Sequence, residues 1–289
     1  MILVTGATGT IGREVLRRLP SDRPVRIMAR QPGRVTGAPP TARIVHGDFT
    51  DPASLTDALH NVHTAFLVTN PDGDDDDTRF LDPARAAGVR HIVKLSAAAV
   101  TDPAAADLIT RRQRHNEDLL RASGIGWTLL RPRAFMSNTL SWARSIRSAQ
   151  VVRALYGTSA NACVDPGDVA EVAALALTDR DQDHAGGAYT LTGPQALSAA
   201  EQTAQLAELL GRPLRFEELS PQQARTGLEA RYPADIASAL LESARRQHSG
   251  SKAVVDPTLP DLLGRPARTF HDWASDHLDA FRPDPTASN

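Results

Sequence analysis

The stretch Ile2–Gly12, "ILVTGATGTIG", decides the fold. A short apolar run ends in three glycines, Gly6, Gly9 and Gly12, spaced three residues apart. The amphipathic stretch "GREVLRRL" begins at the last of them. Strand, glycine-rich turn and helix in that order make a dinucleotide loop. Gly6 permits the tight turn, Gly9 lets backbone approach a pyrophosphate, and Gly12 lets the helix pack close to the sheet. The helix N-terminus then offers free N–H groups and the positive end of its dipole to phosphates.

Working outward, "ILVT" (2–5), "VRIMA" (25–29), "RIVH" (43–46), "TAFLVT" (64–69), "HIVKLS" (91–96) and "GWTLLR" (126–131) read as strands. They are rich in Val, Ile and Leu without clean polar alternation, as in strands buried on both faces of a parallel sheet. Helical patterns separate them. "DPASLTDAL" opens with Asp51 as N-cap and Pro52 at the first helical position. "TRFLDPARAAG" and "ADLITRRQRHNEDLLRASG" each end on a glycine, Gly88 and Gly124. This alternation predicts an α/β fold with a Rossmann-type doubly wound parallel sheet over residues 1–133.

Beyond residue 133 the regularity weakens. "DPGDVAEVAALALTD" (165–179) reads as a helix, "AYTLTG" (188–193) as a strand, and "SAAEQTAQLAELLG" as a helix with a capping box from Ser198 to Glu201. "LRFEEL" is a further short strand, and "TFHDWASDHLDAF" a closing helix. The expectation is a smaller, mostly helical substrate lobe over 134–289, with segments at about 160–192 returning to the core.

Composition narrows the function. With 41% hydrophobic residues, 23% charged residues and a net charge of −2, the chain is neither disordered nor built for a polyanion. Nucleic acid is therefore not expected as a partner, and Arg111, Arg112 and Arg114 read as a solvated helix face. The single cysteine, Cys163, excludes an internal disulfide framework and fits a reducing compartment. It falls in "ANACVD", which reads as a buried strand. No apolar run is long enough to span a membrane, and a soluble, cytoplasmic protein is expected. His60, His63, His271 and His277 lack paired-ligand spacing, so no metal is expected. The acidic run "DGDDDD" (72–77) lacks the alternate ligands of a calcium loop and reads as a polar loop capping the helix near Thr78.

The end of the second strand bears on the cofactor. An NAD site places an acid there for the ribose 2′-hydroxyl. "RIMARQPGR" has none, and Arg30, helped by Arg34, suits a 2′-phosphate instead, so NADP(H) is expected. Asp48, in "HGDFTDPASL", either lies beside the adenine with Phe49 packed nearby or serves as a turn residue. Thr69 and Asn70, in "VTNP", stand at the carboxyl edge where open α/β sheets bind ligands.

Together with "HIVKLSA", "SGIGWTLLRPRAFMSN", "VDPGDVAEVAALAL" and "RTFHDWASDHLDAF", these motifs resemble the NmrA-like family of atypical short-chain dehydrogenases/reductases over nearly the whole chain. The likeness is to NAD(P)H:quinone oxidoreductase-like members of actinobacterial type, including reductases that tailor aromatic secondary metabolites and antibiotics. It implies NADP(H) contacts at Gly6, Thr8, Gly9, Thr10, Ile11, Gly12, Arg30, Asp48, Phe49, Thr69 and Asn70. It further implies a substrate side lined by Phe135, Met136 and Asn138. Tyr156, in "ALYGTSAN", either packs in the lobe or offers a hydroxyl to the substrate, as could Ser159.

One departure is informative. Ordinary short-chain dehydrogenases use Tyr-x-x-x-Lys on the helix after the fifth strand, with tyrosine as proton donor, and many NmrA-like proteins carry His in place of the lysine. Aligned on Glu117, this chain has Gln113 at the lysine position and Ile109 at the tyrosine position, and "LITRRQRHN" contains neither Tyr nor Lys. Ser96 is the remaining candidate catalytic hydroxyl. The expected function is an NADPH-dependent oxidoreductase delivering hydride to a quinone or conjugated aromatic ketone. Such an acceptor spreads its oxyanion over a π system and can take its proton from water. The alternative is an NADP(H)-binding redox-sensing regulator without catalysis.

Overall fold

The computed structural model describes residues 1–69, 75–178 and 183–283. In chain order the elements begin β1 (Ile2–Val4), α1 (Thr10–Arg18), β2 (Val25–Ala29), β3 (Arg43–His46), α2 (Pro52–Leu59), β4 (Thr64–Leu67), α3 (Asp76–Ala86) and β5 (His91–Leu95). They continue α4 (Leu108–Ala122), β6 (Gly126–Pro132), α5 (Ala143–Ala149), β7 (Val151–Ala154), α6 (Pro166–Thr178) and β8 (Gly187–Leu191). The rest are α7 (Ala199–Leu210), β9 (Arg215–Glu218), α8 (Pro221–Glu229), α9 (Ala234–His248), α10 (Thr258–Leu263) and α11 (Phe270–Asp276). No helix among the described residues is long and apolar enough to cross a membrane.

Two compact units emerge, the first made of residues 1–101, 110–132 and 166–191. Its seven strands form one parallel sheet in the order β3-β2-β1-β4-β5-β6-β8, the doubly wound arrangement expected from the alternating pattern. On one side Leu55 and Leu59 of α2, Phe80 of α3 and Leu120 of α4 bury against Leu3, Leu67, Ile92 and Leu129 of the strands. Helix α1 packs against α6, and α6 lies along β4, β5 and β6. Asp51 caps α2 by accepting from the Ala53 and Ser54 N–H groups. β1 and β4 stop at Val4 and Leu67, short of the expected ends, because Thr5 and Val68 turn to bond each other. The Thr5 hydroxyl donates to the Val68 carbonyl (3.1 Å) and accepts from Val68 N (2.8 Å).

Two expectations change here. Helix α4 was expected to present a solvated arginine face. Its buried residues are Thr110, Glu117 and Leu120, while Arg114 is half-buried and donates from Nε to the Val100 carbonyl (3.1 Å). The helix turns a carboxylate inward because partners wait for it there. The acidic run is likewise no simple polar loop. Residues 72–74 lie outside the described residues, but Asp76 and Asp77 open α3 and are both buried.

The second unit comprises residues 102–109, 133–165 and 192–289. β7 and β9 pair in parallel, Val151 opposite Arg215. Helices α5, α7 and α11 contribute Ile146, Leu206, Phe270 and Trp273 to its core, with Met136 and Val152. The capping box of α7 forms as read, Ser198 accepting from Glu201 N and the Glu201 side chain accepting from Ser198 N. "ANACVD" is not a strand. It carries only isolated bridges, Phe135 to Val164 and Asn161 to Leu197, because Cys163 N turns back onto the Asn161 carbonyl (2.9 Å). The tail 284–289 lies outside the described residues.

Candidate dinucleotide site and its surroundings

The glycine turn is built as its spacing demands. Gly6 sits at φ +63°, where an L side chain is strained, and an added Cβ would meet Val68 Cβ at 2.8 Å. A Cβ on Gly12 would fall 2.2 Å from the Gly6 carbonyl oxygen, so the helix reaches the turn only because residue 12 is glycine. Gly9 N donates to that carbonyl (2.9 Å), and the first helical bond runs from Arg13 N to Gly9 O (3.2 Å). The N–H groups of Thr10, Ile11 and Gly12 are thereby left without an intrahelical acceptor. No side chain caps this end and no acid stands in its first turn, so an anion meets bare N–H groups and the dipole. The Ile11 side chain is itself core, 3% exposed, which leaves its backbone to serve a ligand.

A cavity of about 1080 Å³ opens from this turn. Its wall includes Thr5–Thr8, Arg30, Gln31, Arg34, Gly47–Thr50, Val68, Asp76 and Arg79. The volume lies at the upper end for ligand sites, as a dinucleotide requires. Arg30 and Arg34 are exposed and without an ion-pair partner among the described residues. Asp48 is a turn residue that also faces the cavity. Its Oδ1 accepts from Thr50 N (2.9 Å) and the Thr50 hydroxyl (2.8 Å), a turn that holds the carboxyl below its ordinary range. The same residue lines the cavity. Phe49 also lines it and sets its ring edge-on to Phe80, with centroids 6.0 Å apart. Asp76 and Arg79 were not anticipated on this wall. Burial raises the Asp76 carboxyl, against the charge of Arg79, whose guanidinium stands 3.6 Å away. Their acidic-then-basic spacing at the start of a helix after β4 was the available signal.

Thr69 turns elsewhere. Its hydroxyl donates to Asp77 Oδ2 (2.8 Å), which also accepts from Asn116 Nδ2 (2.8 Å), while Asp77 Oδ1 faces the Lys94 ammonium at 2.5 Å. This buried group ties the end of β4 to α3, α4 and β5. Asn70 lies outside the described residues.

Ser96 sits at the end of β5, 7% exposed, and donates its proton to Glu117 Oε1 (2.6 Å). Arg131 grips the same carboxylate from Nε (2.9 Å) and a terminal nitrogen (2.5 Å), and Arg121 adds a third contact at 2.9 Å. Burial pushes the Glu117 carboxyl up, but the bonds from Arg131 and Ser96 outweigh it and hold the carboxyl below its ordinary value. Ser96 is therefore a hydroxyl whose proton is already committed. Nearby on α4, Gln113 presents a buried side-chain oxygen with no hydrogen-bond partner. A buried acceptor without a donor is uncommon and leaves this oxygen able to accept from a ligand hydroxyl.

In the second unit the residues singled out on the substrate side separate. Met136 is core, 2% exposed beside Phe270 and Trp273, because the 3₁₀ turn Met136–Trp142 directs it inward. Asn138 is exposed, and Phe135 half-buried. Tyr156 holds φ +55°, a strained value for a bulky residue, kept by Glu218, which accepts from the N–H groups of Tyr156 (2.6 Å) and Gly157 (2.9 Å). Its ring stacks on His248 with centroids 4.4 Å apart, and the Ser159 hydroxyl meets the same imidazole at 3.0 Å.

The profile of an NAD(P)H-binding family matches residues 6–180, which carry the glycine turn and the cavity wall. The chain belongs to this family. More narrowly, it is an NmrA-like atypical short-chain dehydrogenase/reductase. A (4-alkanoyl-5-oxo-2,5-dihydrofuran-3-yl)methyl phosphate reductase of Streptomyces griseus is 57% identical, over 98% of this chain and 100% of its own. An NAD(P)H azoreductase of Xenophilus azovorans is 35% identical, over 97% and 99%. Among solved structures, the NADPH-dependent quinone oxidoreductase of Escherichia coli complexed with NADPH superposes with a TM-score of 0.83 at 27% identity, covering 96% of this chain and 100% of that one. This NmrA-like protein is an NAD(P)H-binding oxidoreductase.

Proposed function

We propose that the protein is an NADPH-dependent reductase of a doubly activated carbon–carbon double bond, in a substrate of the 4-alkanoyl-5-oxo-2,5-dihydrofuran-3-yl methyl phosphate class. The observation that carries this is the empty catalytic position on α4. The helix holds no Tyr and no Lys, and the one nearby serine gives its proton to Glu117. Reduction of an isolated ketone needs an acid at the oxygen, a contribution of about 10²–10⁴ in rate. A conjugate acceptor does not.

In this substrate class the ring double bond is conjugated to both the lactone carbonyl and the alkanoyl carbonyl. Bound NADPH supplies the hydride, which adds to the ring carbon bearing the phosphomethyl group. The π electrons move to the neighbouring carbon as an enolate shared between two carbonyl oxygens. A proton from water then completes the reduction. What the chain must provide is position. The glycine turn and the N–H groups of α1 hold the pyrophosphate, and Gly9 lets it approach. Arg30 and Arg34 take the 2′-phosphate, which favours NADPH over NADH. Gln113 accepts from a ribose hydroxyl through its unpartnered oxygen. A quinone accepts hydride by the same logic, its oxyanion spread over the ring, and is expected as a slower substitute.

The test follows NADPH oxidation at 340 nm with a synthetic acyl-dihydrofuranone methyl phosphate, menadione and a simple alkyl ketone. Run in D₂O with 4-deuterated NADPH, the product should carry cofactor deuterium at the phosphomethyl-bearing carbon and solvent deuterium at its neighbour. A product reduced at the alkanoyl carbonyl, or turnover of the simple ketone at the fastest rate, refutes the reading.

A further inference from the structure

Two cations in the second unit lack an acidic partner. Arg133 follows directly on β6, and its guanidinium makes no hydrogen bond or ion pair among the described residues. Its Nε is buried and unsatisfied. Lys252 lies between α9 and α10. Its ammonium donates to the Ser243 hydroxyl (2.6 Å) and pairs with no carboxylate among the described residues. The segment is fixed in place, since Ala162 N donates to the Lys252 carbonyl (2.9 Å) and Asp256 N to the Thr192 hydroxyl (2.9 Å).

Val164 N donates to the Ala134 carbonyl beside Arg133 (2.9 Å), two residues from the Ala162 N–H that holds Lys252, so one short segment places both cations. Burial first, then the charges of Arg246 and Arg133, hold the Lys252 ammonium down to about 8. Burial also lowers Arg133, against the opposing fields of Asp102 and Asp256. The nearby carboxylates are engaged otherwise. Asp107 pairs with Arg246 at 2.7 Å, Asp102 accepts from Ala104 N (3.0 Å) and faces Arg246 at 3.7 Å, and Asp256 accepts from Thr258 N (2.9 Å). Cys163 offers no compensating charge, because burial pushes its thiol up to about 11. Half-buried cations that repel each other are costly unless an anion joins them.

We infer that Arg133 and Lys252 form the subsite for the phosphate of the substrate ester. A planar guanidinium binds a phosphate through two parallel N–H bonds, and a flexible ammonium closes on a third oxygen as a point charge. The inference rests on the phosphate-ester substrate proposed above. It is separate from the cofactor's phosphates, which belong to the α1 turn and to Arg30 and Arg34 in the first unit.

Two measurements distinguish its failure from failure of the substrate reading. The first compares kcat/KM for the acyl-dihydrofuranone methyl phosphate with that for the corresponding free alcohol, in wild type, R133Q, R133K and K252M. Wild type should prefer the ester by about a hundredfold or more. That ratio should fall at least tenfold in R133Q and K252M, and less in R133K. An unchanged ratio overturns the inference. Loss of both substrates in equal measure overturns it too, and assigns the two cations to the enolate instead. The second titrates n-butyl phosphate calorimetrically into enzyme saturated with NADP⁺, so that the cofactor's own sites are filled. Binding should weaken at least tenfold in R133Q and K252M, each checked for a wild-type thermal transition. Absent or equal binding overturns the inference even if neither lactone is turned over. Retained, Arg133-dependent binding with no turnover supports it and refutes the substrate reading alone.

Discussion

Removing either member of the Lys94–Asp77 pair should be costly, and unequally so. The two side chains are 0% and 2% exposed, with Nζ 2.5 Å from Oδ1. At an effective dielectric of 20, two unit charges at that distance attract by roughly 7 kcal/mol. Desolvating them costs several kcal/mol each, so the intact pair contributes little net stability. Breaking it is different, because one buried charge is then left alone. In K94M, Asp77 keeps the Thr69 hydroxyl and the Asn116 amide, both at 2.8 Å. In D77L, Lys94 keeps, among the described residues, the Thr69 hydroxyl at 3.5 Å. D77L should therefore cost about 4–5 kcal/mol and K94M about 2–3, with the double variant well below their sum. Urea denaturation read by circular dichroism measures the totals, and amide exchange in β4 and β5 reports the first unit by itself. If the double variant equals the sum of the singles within about 0.5 kcal/mol, the two charges are not coupled and the reasoning fails.

Gly12→Ala puts a methyl 2.2 Å from the Gly6 carbonyl oxygen, against backbone that cannot step aside. Overpacking of this kind costs about 1–3 kcal/mol. NADPH affinity, measured by fluorescence titration, should fall at least tenfold, and wild-type affinity would deny the close approach. Glu117 sets an acid limit. Its folded carboxyl is held below the unfolded value, so its contribution is present above about pH 4.5 and lost as pH falls through the folded value. E117Q should lose about 3 kcal/mol at pH 7 by denaturant unfolding, and the gap to wild type should narrow below pH 4.5; a constant gap is the contrary result. Lys252 sets an alkaline trend. Between about pH 8 and 10.5 the native chain binds fewer protons there than the unfolded chain, so stability rises with pH. Arg246, Arg133, Cys163 and Asp107 face this ammonium, and Cys163 opposes it from pH 9 to about 11, where only the unfolded thiol ionises. The stability difference between wild type and K252M isolates the lysine, and a difference flat across pH 8–9 removes it from the account.

The sheet was legible because parallel strands need apolar runs: all six N-terminal runs became strands, although the edge strand β3 is largely exposed rather than buried on both faces. The glycine turn was legible because its geometry tolerates no side chain. The β7–β9 pair was not: Val151 and Arg215 meet across a separation that no local pattern records. Met136 turned inward because a 3₁₀ turn has no alternation from which to read a face. The Lys94–Asp77 pair left half a signal. A lone lysine inside "HIVKLS", a strand covered on both faces, demands a buried counter-charge. Its partner was hidden in an acidic run, and such runs usually face water. Sequence reveals that a charge needs a partner more readily than it reveals which one.

The same reasoning applies to the helix that lacks its catalytic pair. Helix α4 holds neither a Tyr to serve as acid nor a Lys to tune it, yet the surroundings stay fully engaged. Ser96, Arg121 and Arg131 converge on Glu117, a network that fixes α4 against β5 and β6 and leaves no proton to lend. A degenerate active site would have no reason to keep such a framework, nor a buried Gln113 oxygen free for a ribose hydroxyl. A site whose substrate stabilises its own anion would keep both. The acid is dispensable when two carbonyls share the enolate, while placement of the nicotinamide is not. On the proposed reading, the missing groups become an argument about the substrate: one that accepts hydride at carbon can take its proton from water.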